Sequence, residues 1–232
     1  SKSFAQRAII AAALAEGTSV LRGYSPCGDN ESAVSVARAL GAEVTVGISY
    51  KDGKVTKDSS ALTIKGIGAA KKSLTLSELH TGESGLLTRM MIPLISMIGP
   101  GKVHITGEKT LTRRPLKGAR EIMAAFGVKL ENLPQEEKPE EVFVPLKISG
   151  KLSGGKITVS GSGGSQIISG LLMLEDTFHL IFPYMATSID GYNNYVHYIH
   201  HNWVVALLVG AILELYSTHR MSYEFRKEER NL

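Results

Sequence analysis

Cysteine is nearly missing from this chain: Cys27 is the only one in 232 residues. A lone thiol excludes an internal disulfide framework and a cysteine-rich metal site, and it makes a reducing cytoplasm the expected compartment. Aromatic residues are scarce as well, 6% with a single Trp, which leaves few stacking platforms for nucleic acid. Long apolar runs are also lacking. Residues 203–213 are apolar for eleven positions, well short of the roughly 20 that span a bilayer, so a buried helix is expected there. The run after Arg7 ends after eight residues at Glu16–Gly17 and is expected to be a helix rather than a leader. No G-x-G-x-x-G opens a helix after a strand, which argues against a dinucleotide fold. Neither a membrane nor a nucleic acid is expected as partner.

What the chain does have is enough apolar material, 43% of its residues, to bury a core, and a mild net charge of +4. The positive charge is partly concentrated in Lys102, Lys109, Arg113, Arg114, Lys117 and Arg120. Such a local concentration suits a small anion better than a long polyanion.

The sequence also repeats. Three loops of small residues run straight into apolar helical patterns: Ser1-Lys2-Ser3, Gly82 to Gly85, and Gly161 to Ser165, with Ser3, Ser84 and Ser165 at equal intervals of 81 residues. The segments after these helices recur too, since GTSVLRG from Gly17 parallels GKVHITG from Gly101, and ESAVSVARALGAEV from Glu31 parallels KGAREIMAAFGVKL from Lys117. Asp29 or Asn30 is expected to cap the helix of the first pair, with Gly41 as its stop; Pro115 near the start and Gly127 at the end frame the second. Strands are expected at Val20, Glu43, Ala61, Lys102, Val142 and Lys156, turns at Asp52-Gly53 and Gly154-Gly155, and an exposed connection from Asn132. Units of about 1–75, 76–150 and 151 onward then predict an α/β domain: a pseudo-threefold repeat of βαβαββ-type units, an inverse α/β arrangement with helices inside and sheets outside.

A helix start presents unpaired N–H groups and the positive end of the macrodipole, and small residues let an anion come close. Lys2 and Arg7, Arg89, and Arg113 with Arg114 stand at useful offsets around these starts. Arg grips phosphate or carboxylate with paired hydrogen bonds and Lys adds a mobile charge. Taken singly, S-K-S is an ordinary cap, the Gly-Ser loop a hairpin turn, and Arg113-Arg114 a solvated pair; together they mark a site for a small polyanion. HYIHH places His197 and His201 at i, i+4 but lacks the glutamate of H-E-x-x-H, so no metal site is expected.

These residues resemble the 5-enolpyruvylshikimate-3-phosphate synthase family. Ser1-Lys2-Ser3-Phe4-Ala5-Gln6-Arg7-Ala8 is similar to its S-K-S-x-x-x-R-A helix, LTRRPLKGAREIMAAFG to its R-P segment, and GSGGSQIISGLLM to its S-S-Q segment. The resemblance implies a transferase that moves the enolpyruvyl group of phosphoenolpyruvate to the 5-hydroxyl of shikimate 3-phosphate and releases phosphate, without metal or organic cofactor, as a cytoplasmic monomer. It implies Lys2 as the catalytic lysine and, with Gly85, Arg114 and Gln166, as a phosphoenolpyruvate contact. Shikimate 3-phosphate would fall to Ser3, Arg7, Ser165, Gln166 and Tyr184.

Departures are visible as well. Glu83 stands where the family commonly has Asn, Leu86 where it has Thr, Gly164 where it has a second Ser, and Phe182 where it has Lys. An acid beside an anion is unfavourable unless it turns away or takes a proton. Residues 1–173 are expected to be the enolpyruvyl transferase-like lobe, and 174–232 a divergent remainder of the third unit or a truncated start of a second lobe, which in the family supplies the acid and base. Two alternatives stand beside this reading. One is a non-catalytic anion-binding remnant; the other is an enolpyruvyl transferase acting on a UDP-amino sugar, for which a reactive Cys27 at a helix start would serve.

Overall fold

Apolar residues at helical spacing follow the first serine-rich start, and the chain forms α1, Lys2–Leu14, which buries Gln6, Ile9, Ile10 and Ala13 along one face. The structure, a computed structural model, describes residues 1–51, 54–68, 75–133, 141–153 and 165–178, all within the compact unit Ser1–Ile181. After α1 come β1 (Thr18–Arg22), α2 (Gly28–Ala39), β2 (Glu43–Lys51) and β3 (Lys54–Lys65). These strands form one antiparallel sheet in the order β1-β3-β2. Next are β4 (Glu78–His80), α3 (Gly85–Ile98), β5 (Lys102–Thr106), a 3-10 turn (Lys109–Arg113), α4 (Ala119–Ala125), β6 (Lys129–Asn132) and β7 (Leu146–Ser149). A second sheet runs β4-β5-β7-β6, with β4 parallel to β5 and the other pairs antiparallel. The final described helix is α5, Ser165–Phe178.

The two sheets match in detail. In the first, Lys65 at the end of the middle strand lies opposite both Thr18 and Glu43; in the second, Ser149 lies opposite both Lys102 and Lys129. Past those residues, the Gly66 N–H donates to Gly17 O at 3.0 Å and the Gly150 N–H to Gly101 O at 2.9 Å. Both middle strands thus turn back under the helix that opens their unit, where N–H groups meet the orphan carbonyls of the helix end. Ile67 and Gly68 donate to Ala13 and Ala15 at the end of α1, and Leu152 donates to Ser96 near the end of α3.

Both second helices stop in the same way. Gly41 and Gly127 have φ of +98° and +78°, a conformation that glycine adopts without a Cβ clash. Ala42 N–H reaches Ala37 O while Gly41 N–H reaches Arg38 O, and Val128 with Gly127 repeats the pair on Met123 and Ala124. This double bond pattern is the Schellman motif.

Helix α3 lies inside, with Met90, Met91, Ile92 and Leu94 all fully buried. Each such side chain contributes about 1.5–3 kcal/mol relative to exposure. Gly170 of α5 meets the Met90 carbonyl and Pro93 of α3 so closely that a Cβ there would strike backbone.

Several sequence expectations change. Cys27, not Asp29 or Asn30, is the N-cap of α2, and Asn30 is buried with its side-chain N–H donating to Ser25 O at 2.9 Å. Pro115 lies upstream of α4, which starts only at Ala119 after Gly118 at φ +73°. The strand expected from Val142 begins at Leu146: Val142 O accepts from Leu116 and Phe143 N–H is taken by the Asn132 side chain, while Pro145 has no N–H to offer a ladder. Asn132 is not an exposed linker residue but a buried clamp, which also donates to Glu141 O. Strand β4 has no counterpart among the expected strands. The turns at Asp52-Gly53 and Gly154-Gly155, the strand at Lys156, the loop 161–164, Tyr184, the histidine cluster and the run 203–213 lie outside the described residues.

Candidate functional site: two joined helix starts and a basic turn

Gln6 is a polar residue on the apolar stripe of α1, only 2% exposed, and a buried amide requires a partner. It finds one 78 positions along: the Ser84 hydroxyl donates to Gln6 Oε1 at 2.5 Å. Ser84 is also the N-cap of α3, its oxygen accepting from Leu87 N–H at 3.1 Å. One hydroxyl therefore closes the first turn of α3 and ties it to the second turn of α1. Below it, the Thr88 hydroxyl donates to Ser84 O at 2.8 Å and shares a 2.7 Å bond with the Thr81 hydroxyl. Gly82, at φ +61°, packs its Cα against Ser32 of α2, with no room there for a Cβ.

The basic turn docks on the same loop. Glu108 N–H donates to Gly82 O at 2.9 Å, and the Thr110 hydroxyl donates to Glu83 Oε1 at 2.6 Å. Arg89, half-buried on the first turns of α3, spans the gap by donating to Gly85 O at 3.0 Å and to Pro115 O at 2.8 Å. Burial first, and then the like charge of Arg114, press the Arg89 guanidinium below its usual range. The Arg89 guanidinium thus stands at the start of α3 within reach of the Arg114 charge. Among the described residues, no carboxylate lies within ion-pair distance of Lys2, Arg7, Arg89, Arg113 or Arg114. Positive charge in excess of its local partners is what an anion site requires.

The structure places each predicted residue it describes. Lys2 and Ser3 are exposed on the first turn of α1, and Arg7 reaches back to Ser3 O at 3.3 Å. Gly85 opens α3, where a Cβ would come within 2.8 Å of the Arg89 guanidinium. Arg114 is exposed just after the 3-10 turn. Ser165 is the first residue of α5, and Gln166, half-buried, is the second. The structure joins the starts of α1 and α3, and couples Arg114 to Arg89. Tyr184 is outside the described residues.

Three contributors have no place in the motif reading. Gln6, Lys109 and Thr110 do their work through the loops they hold; Gln6 left a signal as an amide on a stripe with Ile9, Ile10 and Ala13, and Lys109 as one of the clustered cations, whereas Thr110 left none. Glu83 resolves its expected conflict by turning to the basic turn, with Lys109 Nζ 3.8 Å from its second oxygen. The Thr110 hydrogen bond, aided by the charges of Lys109 and Arg114, holds its carboxyl below the usual carboxylate range, so it does not take a proton at neutral pH.

Joined helix starts, a basic turn and two matched sheets make up this α/β lobe. The family model described as EPSP synthase (3-phosphoshikimate 1-carboxyvinyltransferase) matches residues 1–180. The chain belongs to this family. A 3-phosphoshikimate 1-carboxyvinyltransferase of Erwinia tasmaniensis is 34% identical over 173 residues, covering 75% of this chain and 37% of the relative. The enzyme of the same name from Aliivibrio salmonicida is 32% identical over 203 residues, covering 82% and 44%. An EPSP synthase structure from Acinetobacter baumannii shares the fold with a TM-score of 0.58 at 22% identity, covering 76% of this chain and 37% of that one. This chain thus matches less than half the length of these relatives. Among the described residues, no helix is long and apolar enough to cross a membrane.

Proposed function

We propose that residues 1–173 form the anion-binding lobe for enolpyruvyl transfer from phosphoenolpyruvate to the 5-hydroxyl of shikimate 3-phosphate, with release of inorganic phosphate. The observation that carries this reading is the Ser84–Gln6 hydrogen bond, which fixes two helix starts side by side beside Arg89 and Arg114. In this arrangement Lys2, Gly85, Arg114 and Gln166 hold phosphoenolpyruvate. Ser3, Arg7, Ser165, Gln166 and Tyr184 hold shikimate 3-phosphate, and α5 supplies the third start of a pseudo-threefold lobe. The chain acts as a cytoplasmic monomer.

The chemistry is addition followed by elimination. A proton goes to the methylene carbon of phosphoenolpyruvate while the attacking hydroxyl loses its own and bonds to the enol carbon; the later step takes a proton from the resulting methyl group as the C–O bond to phosphate breaks and phosphate leaves. The lobe's share is to neutralise phosphate and carboxylate charge with amides and cations, and to place the hydroxyl against the enol carbon. Lys2, exposed on α1, carries its charge on a flexible stem able to follow the substrate as its charge changes.

Calorimetric titration of shikimate 3-phosphate, with and without phosphoenolpyruvate, tests the reading. Binding of the first that tightens on adding the second is expected, and absence of binding by both contradicts the assignment. Since the chain spans 37% of a matched relative, phosphate release by the chain alone is expected to stay near background, and full turnover would contradict that expectation. Lys2→Ala should abolish the phosphoenolpyruvate-dependent tightening.

A further inference from the structure

Glu83 precedes the N-cap of α3 directly and is held there on several sides. Its Oε1 accepts the 2.6 Å bond from the Thr110 hydroxyl, and Lys109 Nζ stands 3.8 Å from its Oε2. Lys109 itself sits at φ +50°, a backbone region that costs a non-glycine residue energy, and its ammonium lies 3.4 Å from Glu108 as well. The Glu108 N–H bond to Gly82 O fixes the turn on the loop that carries Glu83. A helix N-terminus, a hydroxyl donor and neighbouring cations are the elements that bind a ligand's carboxylate or phosphate. Here they already face a carboxylate that belongs to the chain.

We propose that Glu83 is an internal anion: its carboxylate holds the position of negative charge between the start of α3 and the Lys109–Arg114 turn, and thereby limits the affinity of the lobe for phosphoenolpyruvate. The inference rests on the anion-site reading and adds to it the residue that sets binding strength. A bound anion at Arg114 must either displace this carboxylate toward solvent or bear it as a close like charge. Both routes lower affinity, and neither is open once the charge is removed. The carboxylate is ionised at neutral pH because Thr110, Lys109 and Arg114 all favour that form, so the competition operates under working conditions.

The purely structural reading of the same contacts makes the opposite forecast. If Glu83 only anchors the basic turn through Thr110, removing its charge while keeping its shape changes nothing, and truncating it weakens binding. The test is therefore calorimetric titration of phosphoenolpyruvate into the full chain and into its Glu83→Gln and Glu83→Ala variants at low ionic strength. Glu83→Gln keeps an oxygen for the Thr110 hydroxyl and loses only the charge. We expect it to bind on the order of tenfold tighter, an effect typical of removing one nearby like charge at a partly exposed site, with the gain shrinking in added salt. Glu83→Ala should also bind tighter than the parent chain. An unchanged Glu83→Gln affinity together with a weaker Glu83→Ala overturns the proposal and leaves the anion site standing. No binding by the parent chain or by either variant overturns the anion-site reading, and this proposal with it. Circular dichroism melts of the three proteins identify an unfolded variant, in which case Glu83→Gln alone decides.

Discussion

Carboxylates held in their charged form by particular neighbours make stability depend on pH. Asp58 sits below its usual range because the Ser60 side chain and backbone donate to it, with Arg22 3.5 Å away adding a smaller pull. Glu131 is lowered by hydrogen bonds from Lys129 first and Lys147 second, and by their charges. A folded-state value below the unfolded one means stability that is fully present above the unfolded value and lost as pH falls through the folded one. Starting from ordinary values of 3.8 for Asp and 4.5 for Glu, the loss should begin near those values and continue below them. In thermal melts across that range, Asp58→Asn and Glu131→Gln should flatten the acid limb, and an unaltered slope would remove these residues from the account. Gln6 calls for a different test. Gln6→Ala leaves the buried Ser84 hydroxyl without its acceptor, and a loss of about 1–3 kcal/mol is expected from denaturant midpoints, along with weaker phosphoenolpyruvate binding as the two starts loosen.

Helices and strands differ in how openly the sequence declared them. The stops at Gly41 and Gly127 were legible because a glycine ending an apolar stripe has one common use, and both adopt the left-handed conformation that use requires. Local caps were less legible. Asp29 and Asn30 are good capping types, yet the chain enters α2 one residue after Cys27, and Asn30 is drawn to Ser25 instead. The segment from Val142 has strand-forming residues, but its N–H and C=O groups are claimed by Asn132 and Leu116, partners no local pattern reveals. Strand β4 is three residues long and, among the described residues, pairs only along β5, too short to show alternation. Helix packing offers its own test, since Gly170 and Gly28 are both helical glycines in different surroundings. At Gly170 a Cβ would strike the Met90 carbonyl of α3, whereas at Gly28 it would meet nothing within 4 Å. Gly170→Ala should cost about 1–3 kcal/mol by overpacking, while Gly28→Ala should be neutral or stabilise by up to about 1 kcal/mol. Equal melting shifts for the two would contradict the close α3–α5 approach.

At the scale of the whole lobe, the repeat was the most informative thing in the sequence, and its phase was its least reliable part. Ser3, Ser84 and Ser165 share an 81-residue spacing, but the first two occupy different places: Ser3 is the second residue of α1 and Ser84 the N-cap of α3. The hydrogen bond joining the first two starts therefore runs from Ser84 to Gln6, not between equivalent serines. Spacing alone could locate the units but could not say which side chain would bridge them, because that depends on how two helices from distant segments meet.

The central claim, that the three helix starts act on one ligand, is tested most directly by phosphoenolpyruvate titration of the isotopically labelled chain in the presence of shikimate 3-phosphate, tracked through the backbone amide resonances of Lys2, Gly85 and Gln166. The account predicts that all three shift along a single saturation curve with one dissociation constant. Shifts confined to one helix start, or three curves with separate constants, would contradict it.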